Sequence, residues 1–327
     1  MCESDRETAA TRRAVAVIVH HGDPRRTIQA VLNHWELAVF SDIIVIANDL
    51  RQRPESLRDV PCTWLVPNRN IGFGGACQLG AMTRQADIYA FFNAHITIDR
   101  SSVDRCIAAF DIENIGIAAP YVYHPASGKP VVDLNYARCT RTYSRILRRP
   151  IQILSRDGYP SSKASPTELL DNDWATGAAI FCRREVAREI GWDGRYFLGF
   201  EDVDISMRAK NSGWRVVVVP SAIAFHTGES TRTLTRAAYY AARNQLWFAR
   251  KYRGRKIQIL LTAYLLLLLC RIGVADALKR RRPAHIKPAT RGLLDGWLLW
   301  PNSTEALIGE PIWSSKTRSK GKGSDRA

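Results

Sequence analysis

Four short apolar runs alternate with longer mixed stretches along the first third of the chain. Each run has five or six residues, mostly β-branched or aromatic, as is typical of buried parallel strands: 14–19, 42–47, 62–66 and 88–92. The stretches 24–35 and 74–85 are long enough to form crossover helices between these strands. This alternation predicts an α/β domain with a largely parallel sheet.

Polar side chains follow each predicted strand, at the positions where ligands bind in such sheets. They are His20 and His21 after the first run, Asn48 and Asp49 after the second, Asn70 after the third and Asn93 after the fourth. Any one of these sets could belong to an ordinary solvent-exposed loop. Four polar strand ends together indicate one binding edge.

The second half of the chain has a less regular pattern. We expect a strand at 174–182, a helix at 185–191, a strand at 214–220 and an edge strand at 222–230. A chain of 327 residues with 46% hydrophobic content can bury a full core in one large domain or two small ones.

A glycine-rich turn precedes the second predicted helix, with Gly72, Gly74 and Gly75 in "NRNIGFGGACQLGA". Cys77 stands where the dinucleotide fingerprint GxGxxG needs its third glycine, which argues against a nicotinamide cofactor. Glycines let the backbone approach a ligand closely, and the N–H groups at a helix start suit an anionic group.

Three acids occupy four positions in "FEDVDISMR", at the predicted start of a helix. The helix dipole favours negative charge there, and Asp204 is placed to pair with Arg208 one turn later. That structural interpretation explains Glu201 and Asp204 and leaves Asp202 without a stated partner. A carboxylate at this position could act as a general base towards a substrate hydroxyl.

The formal net charge of +16 is concentrated near the C-terminus, around the apolar stretch 257–270. This stretch is shorter than the roughly 20 residues that cross a bilayer, and basic residues flank it on both sides. The pattern predicts a helix that lies on the membrane surface or re-enters it, next to anionic lipid. The alternative is a helix buried in a protein core.

The seven cysteines form no CxxC pair, which indicates reduced thiols and a cytosolic compartment. The polar N-terminus gives no sign of a secretory signal. Because no nucleic-acid-binding module is present in the sequence, the positive charge does not predict a nucleic-acid partner.

Beyond these local patterns, the sequence resembles the family 2 glycosyltransferases, particularly their rhamnosyltransferase-like and galactofuranosyltransferase-like branch. The resemblance spans roughly residues 14–300 and rests on the order of its glycine, acid and histidine motifs. The motifs are "NRNIGFGGACQLGA", "WATGAA", "GWDGRYFLGFEDVDISMRAKNSGWRVVVVPSAIAFHTG", "YYAARNQLWFARKY" and "RGLLDGWL".

The resemblance implies a GT-A fold, in which a nucleotide-binding α/β half and an acceptor half meet at one cleft. It also implies inverting transfer by direct displacement. Asp202 matches the base that deprotonates the acceptor hydroxyl, and Glu201 would orient this base or the acceptor. Trp174, Thr176 and Gly177 would contact the acceptor.

On the donor side, the family pattern places the residues after the first two strands around the nucleobase and ribose. This chain has "HHGD" where the family usually has Thr-Tyr-Asn-Arg. The implied donor-binding residues are His20, His21, Asn48, Asp49, Asn70, Gly72, Gly74, Gly75 and Asn93.

After the fourth strand, the family usually has an acidic segment whose last residue binds a divalent metal, and here that position is His95. His226 matches a histidine that completes the metal site in several relatives. A site of His95 and His226 would suit Mn²⁺ better than Mg²⁺. Two alternatives stay open: basic residues such as Arg69 and Arg138 supply the charge, or the chain keeps the fold without catalysis.

The sequence therefore predicts a disordered tail at 1–13, a GT-A domain at 14–250, a basic and apolar helical membrane-associating region at 251–313 and a disordered basic tail at 314–327. The expected reaction moves a sugar from a nucleoside diphosphate to a lipid-linked or polymeric cell-envelope glycan at the cytoplasmic membrane face. Deoxythymidine-diphosphate-rhamnose is the first expected donor and a uridine-diphosphate sugar the next. The alternative is a non-catalytic relative that binds a glycan or a partner enzyme.

Overall fold

The structure is a computed structural model that describes residues 12–126, 129–132, 169–226, 234–278 and 286–299. The strands are β1 (Ala14–His20), β2 (Asp42–Ala47), β3 (Thr63–Leu65), β4 (Ile88–Asn93), β5 (Ile96–Ile98), β6 (Ile115–Ala126), β7 (Lys129–Val132), β8 (Leu170–Asp171), β9 (Ala179–Arg183) and β10 (Arg215–His226). The helices are α1 (Pro24–Glu36), α2 (Gly72–Thr83), α3 (Arg100–Ala108), α4 (Glu201–Asn211), α5 (Leu234–Leu278) and α6 (Ile286–Leu298).

One sheet organises the fold, with the strand order β3-β2-β1-β4-β9-β6-β10-β5. The first four strands are parallel to one another, and β6 is parallel to β10. β9 runs antiparallel between β4 and β6. The predicted α/β class and mostly parallel sheet are confirmed, and the four N-terminal strands lie within one residue of their predicted bounds.

Successive side chains of β1 enter two apolar clusters, one on each face of the sheet, because strand side chains alternate in direction. Every residue of β1 is buried. Residues of α1 and α3 complete the first cluster, and residues of α2 and α4 complete the second. This two-sided burial explains why the strand sequences are almost continuously apolar.

The strand predicted at 174–182 begins only at Ala179, so its first part is wrong. Instead of joining the sheet ladder, Ala175 N–H donates to Ser206 Oγ at 3.2 Å and Gly177 N–H donates to Asp202 Oδ2 at 3.0 Å. Residues 174–178 therefore follow α4 side chains, and they pass the carboxyl end of β4.

Two other predicted elements differ in form. The helix predicted at 185–191 is a short π-helical turn, Glu185–Ile190. The strand predicted at 214–220 and the described part of the strand predicted at 222–230 form one strand, β10, with a register shift between Val219 and Ile223. The predicted positions 227–230 lie outside the described residues. Pro220 lies in that interval and has no N–H to donate to the ladder, which accounts for the irregularity.

Helix α5 is interrupted at Gly254, whose φ of 81° and ψ of 177° are essentially restricted to glycine. The interruption separates a segment at 234–253 from a segment at 255–278. The predicted boundary between the GT-A domain and the membrane-associating region falls just before this kink. That domain division stays a prediction.

Helix α6 packs tightly against both segments of α5. A Cβ on Gly292 would lie 2.3 Å from the carbonyl oxygen of Tyr239, so only glycine permits this approach. Trp297 Nε1 donates to Thr262 Oγ1 at 3.0 Å on the second segment.

The predicted terminal tails are covered only in part by the described residues. Arg13 N–H donates to Asp87 at 2.8 Å, and residues 1–11 of the predicted tail at 1–13 lie outside the described residues. The tail at 314–327 and the candidate Arg138 lie outside the described residues.

Candidate active site

The carboxyl ends of β1 and β2 are joined by a carboxylate. Asp49 Oδ1 lies 3.2 Å from His20 Nε2, and Oδ2 lies 3.0 Å from His21 Nδ1. Gly22 N–H also donates to Asp49, and His20 Nδ1 lies 2.6 Å from Thr27 Oγ1. Burial opposes ionisation of Asp49, but the hydrogen bonds from the two histidines outweigh it and hold the pKa of Asp49 well below its ordinary value. The side chains of His20 and Thr27 are buried, whereas those of His21 and Asp49 reach the surface of the edge.

Two asparagines hold the start of α2. Asn48 accepts from Ile71 N–H at 3.1 Å and donates to Gly72 O at 3.3 Å, and Asn70 accepts from Gly72 N–H at 2.9 Å. Phe73 N–H donates to a carbonyl of the loop before α4 at 2.9 Å. These three N–H groups already donate within the protein, and anion binding at this helix start stays a prediction.

The glycines lie inside the first turn of α2 rather than before it, which corrects the predicted order. Gly72 has a φ of +73°, and a Cβ there would lie 2.3 Å from the carbonyl oxygen of Phe197. A Cβ on Gly74 would lie 3.1 Å from Cβ of Glu201. Gly72 and Gly74 thus bring α2 against the acid-bearing loop, with Gly75 next in the same turn. Contact between these glycines and a donor stays a prediction.

Asp204 is a structural acid. It is fully buried, and its carboxylate lies 2.7 Å from Arg208 Nε, 2.6 Å from Lys251 Nζ and 2.8 Å from the Tyr252 hydroxyl. The predicted Asp204–Arg208 pair is confirmed. Glu201 is also buried, against Gly74.

Asp202 is the one of the three acids that stays half-buried rather than buried. Its Oδ2 accepts from Gly177 N–H at 3.0 Å and its Oδ1 accepts from Val203 N–H at 2.8 Å. Ala178, the residue after Gly177, accepts through its carbonyl oxygen from Asn93 N–H at 3.0 Å, at the end of β4. The sheet edge with the donor-side residues and the helix with the acid are therefore joined through two consecutive residues.

The predicted acceptor residues lie in the same connecting segment. Trp174 and Thr176 are buried, and a Cβ on Gly177 would lie 2.9 Å from the ring of Phe73. Among the described residues, no hydrogen-bond partner faces the indole N–H of Trp174. A buried donor of this kind is suited to a ligand hydroxyl.

The loop before α4 is strained. Phe197, Gly199 and Phe200 all have positive φ angles, of 64°, 82° and 75°. Positive φ angles at Phe197 and Phe200 cost free energy because both side chains are bulky, and surrounding contacts must offset this cost. Such backbone strain is concentrated at functional sites. The loop leads directly into Glu201 and Asp202.

Two residues of α5 hold this loop, and sequence reasoning missed both. Asn244 Nδ2 donates to the carbonyls of Tyr196, Leu198 and Gly199 at 3.0, 3.1 and 2.7 Å. Arg243 donates to the Tyr196 carbonyl at 2.7 Å, and its guanidinium carbon lies 4.1 Å from the ring centroid of Trp247. The available signal was an adjacent Arg-Asn pair between the apolar and aromatic residues of "AAYYAARNQLWFA".

The predicted metal ligands lie together, but their contacts do not fit a metal site. The rings of His95 and His226 stack at 5.6 Å. Arg26 Nη1 contacts His95 Nδ1, and a guanidinium can only donate, so Nδ1 is the acceptor. Burial and the charge of Arg26 lower the pKa of His95 to about 4. Within the described residues there is no group of three or more His, Cys, Asp or Glu that could hold a metal ion.

A metal-binding histidine normally offers one nitrogen lone pair to the ion and donates its other N–H to an acceptor. In His95 the Nδ1 lone pair already accepts from Arg26, so the proton of the neutral ring lies on Nε2. Neither nitrogen then presents a lone pair to an ion. Arg69, the other described candidate for balancing charge, lies exposed in the loop before α2.

Comparison with known sequences identifies the second half of the chain. Residues 165–299 match the model of glycosyl transferase family group 2. This region is similar to the family 2 glycosyltransferases. The resemblance noted from the motifs is confirmed.

The sequence is also 34% identical over 100 residues to the N-acetylglucosaminyl-diphospho-decaprenol L-rhamnosyltransferase of two Mycobacterium tuberculosis strains. That match covers 29% of this chain, and the chain spans 32% of the length of these relatives.

Two solved structures share the fold at low sequence identity. GalNAc-T7 with UDP, GalNAc and Mn²⁺ is 16% identical with a TM-score of 0.54, over 73% of this chain and 50% of that one. The mannosyltransferase PcManGT from Pyrobaculum calidifontis with GDP-Man and Mn²⁺ is 11% identical with a TM-score of 0.53, over 89% and 88%. The predicted GT-A architecture is confirmed.

Proposed function

We propose that this protein is an inverting glycosyltransferase that moves a sugar from a nucleoside diphosphate to a hydroxyl of a lipid-linked or polymeric glycan. The placement of Asp202 carries this proposal. Its carboxylate lies at the start of α4 and bonds Gly177, next to the end of β4. A half-buried carboxylate between the donor edge and the acceptor segment suits a base that acts on a bound hydroxyl.

In the proposed reaction the acceptor hydroxyl gives its proton to Asp202 while its oxygen attacks C1 of the sugar. The bond from C1 to the diphosphate oxygen breaks, and its electron pair leaves with the nucleoside diphosphate. A single displacement inverts C1. The positive charge that develops on the sugar ring is stabilised by the nearby carboxylates. Glu201 packs on Gly74 and orients the helix start that bears the base.

The donor would lie over the ends of β1, β2 and β4. Among the implied donor residues, His21 and Asp49 are the partly exposed ones at β1 and β2, and Asn93 is half-buried at β4. The name of the mycobacterial relatives supports an L-rhamnosyl donor first and a decaprenyl-diphosphate-linked acceptor. A uridine-diphosphate sugar is the second choice.

The acceptor proposal agrees with an exposed apolar surface on α5 and α6. The stretch Arg236–Val274 of α5 is long and apolar enough to cross a membrane, and only 11% of its most apolar 18 residues is buried inside the protein. This exposure argues against the alternative of a buried core helix. The exposed side chains are Ile259, Leu260, Tyr264, Leu266, Leu267, Leu268, Val274 and Leu278 on α5, Leu294 and Leu298 on α6, and Leu299 directly after α6.

We propose that this apolar surface lies in the cytoplasmic leaflet, with the neighbouring basic residues on anionic lipid headgroups. Flotation with phosphatidylglycerol vesicles tests it. Leu267 is 72% exposed, so Leu267→Glu should weaken binding without disturbing packing. The control is Met82→Glu, at an apolar residue of α2 that is 53% exposed and outside this surface. Equal binding of the two variants would contradict the membrane proposal.

Sugar transfer is tested by incubating the purified full-length protein with deoxythymidine-diphosphate-rhamnose, uridine-diphosphate-galactose or guanosine-diphosphate-mannose. The acceptor is a synthetic polyprenyl-diphosphate N-acetylglucosamine. We expect a product with inverted anomeric configuration by NMR from one donor. Binding of a glycan acceptor without turnover of any donor would support the non-catalytic alternative.

A further inference from the structure

A cavity of about 580 Å³ lies at the edge of the sheet opposite the candidate active site. The end of α1, the segment that leads into β2, the start of β3 and Arg84 after α2 form its wall. Strand β2 begins in this wall at Asp42 and ends just before Asn48 at the donor edge. At about 3.3 Å per residue, its length separates the two edges by about 20 Å. The volume lies within the range of small-molecule binding sites.

The wall contains a histidine with an unused acceptor. His34 is 1% exposed, and its Nδ1 lies 2.6 Å from the carbonyl oxygen of Ala30. A carbonyl can only accept, so the ring proton lies on Nδ1. Burial lowers the pKa of His34 to about 4, so near neutral pH the ring is uncharged and Nε2 keeps a lone pair. No group in the described part of the chain donates a hydrogen bond to Nε2.

The ring of His34 is held in place by two aromatic neighbours. Its centroid lies 5.7 Å from that of Phe40 and 4.3 Å from that of Phe92. A buried acceptor without a donor costs free energy, and an O–H or N–H group of a ligand would remove that cost. The histidine therefore favours a ligand that donates a hydrogen bond.

The charges in the cavity wall balance each other. Arg84 Nε donates to Asp42 Oδ2 at 2.9 Å, and these two are the charged side chains among the described wall residues. A phosphate or an amine would have to compete with this ion pair, whereas a neutral ligand would not. Asp42 Oδ1 can still accept from a hydroxyl, and the Nη groups of Arg84 can still donate to one. The wall therefore suits a neutral ligand with several hydroxyl groups.

Trp35 adds an exposed aromatic surface to this cavity. It follows His34 at the end of α1 and is 46% exposed, although tryptophan is highly buried on average. An exposed indole can pack on the apolar C–H face of a sugar ring, while the hydroxyls of the sugar bond to polar groups nearby. Aromatic surface, a buried acceptor and a neutralised ion pair together fit a saccharide.

We propose that this cavity is a carbohydrate-binding site, separate from the candidate active site, that holds one neutral sugar unit. One hydroxyl of the sugar donates to His34 Nε2, others bond to Asp42 and Arg84, and the ring packs on Trp35. Such a site would anchor a glycan while transfer takes place at the other edge of the sheet. This anchoring role rests on the proposed function, whereas the binding site itself does not.

Saturation-transfer NMR of the full-length protein tests the inference, with the methyl glycosides of L-rhamnose, D-galactose, D-mannose and N-acetyl-D-glucosamine as probes. At least one should bind with a Kd on the order of 1 mM, and excess dTDP or UDP should not displace it. Trp35→Ala should weaken this binding at least about tenfold, because the packing surface is lost. The control Ile112→Ala, at an apolar residue that is 45% exposed and outside the described cavity wall, should change the Kd less than about threefold.

His34→Phe separates a role in binding from a role in the fold. The variant keeps a ring between Phe40 and Phe92 but lacks Nε2, so it should weaken sugar binding at least about fivefold. Its free energy of unfolding in urea should stay at the wild-type value or rise, because an unsatisfied buried acceptor is removed. A histidine that serves only the fold would give the reverse result, lower stability with unchanged sugar binding.

Three outcomes would overturn the inference: no binding of any of the four probes, binding that Trp35→Ala and His34→Phe leave unchanged, or displacement of the sugar by dTDP or UDP. Sugar binding that depends on Trp35 and His34, in a protein that transfers sugar from no donor, would contradict the proposed function alone and leave the carbohydrate site standing.

Discussion

Replacement of Asn244 tests how the acid-bearing loop is held. In Asn244→Ala the carbonyls of Leu198 and Gly199 lose the amide donor that lies 3.1 and 2.7 Å away. The Tyr196 carbonyl keeps Arg243 at 2.7 Å. An unsatisfied buried carbonyl costs about 1–3 kcal/mol, and because these two residues are only half-buried we take the low end for each. The sum is about 2 kcal/mol, or about a 30-fold shift towards an open loop.

Urea unfolding and steady-state kinetics measure this effect. The free energy of unfolding should fall by about 2 kcal/mol, and kcat should fall with it, because the strained loop no longer fixes Asp202. Asn244→Asp has the same shape but turns an acceptor towards the carbonyls, so it should be at least as harmful. The control is Gln245→Ala, on the same helix. Wild-type behaviour in Asn244→Asp, or equal losses in Gln245→Ala, would refute the reasoning.

Three further predictions concern packing and pH. Gly72→Ala should lower the free energy of unfolding in urea by about 3 kcal/mol, because the φ is +73° and the added Cβ would lie 2.3 Å from the carbonyl oxygen of Phe197. The control Gly213→Ala has a φ of +89° but open space around it, so it should cost only about 1 kcal/mol. Gly292→Ala should displace α6 from Tyr239 and make α6 easier to cleave by a protease. The control is Gly273→Ala, because its added Cβ would meet only the end of the Ile286 side chain, at 3.2 Å. Burial lowers the pKa of His34 to about 4 in the folded protein. The unfolded chain therefore binds a proton at a higher pH than the folded one, and the free energy of unfolding should fall as the pH drops from about 6.5 to 4, by at most about 1.4 kcal/mol per pH unit. His34→Asn should flatten that part of the urea-stability profile.

The N-terminal half of the fold was predictable from the sequence because each buried parallel strand is a contiguous apolar run. The segment 174–178 was not, since its backbone donors bond to Ser206 and Asp202, and no local pattern encodes contacts with residues that far along the chain. The apolar pattern of 174–182 fits a strand equally well.

Of the candidate site, the pairing of its buried acid Asp204 could be predicted from the sequence. Asp204 and Arg208 are one helical turn apart, so their pairing followed from spacing alone. Arg26 was missed because its partner His95 is 69 positions away, although an arginine in the first turn of a helix is itself an unusual signal. The role of Asn244 likewise depends on carbonyls 45 to 48 positions away.

The most direct test of the account is the transfer rate of Asp202→Asn, measured with the donor and acceptor that the wild type uses. Loss of a general base should lower kcat by about 10²–10⁴-fold while the Kd for the nucleoside diphosphate stays the same. Asp173→Asn, at a surface acid whose side chain is 65% exposed, should retain full activity. A kcat for Asp202→Asn close to that of the wild type would contradict the assignment of the base and with it the proposed mechanism.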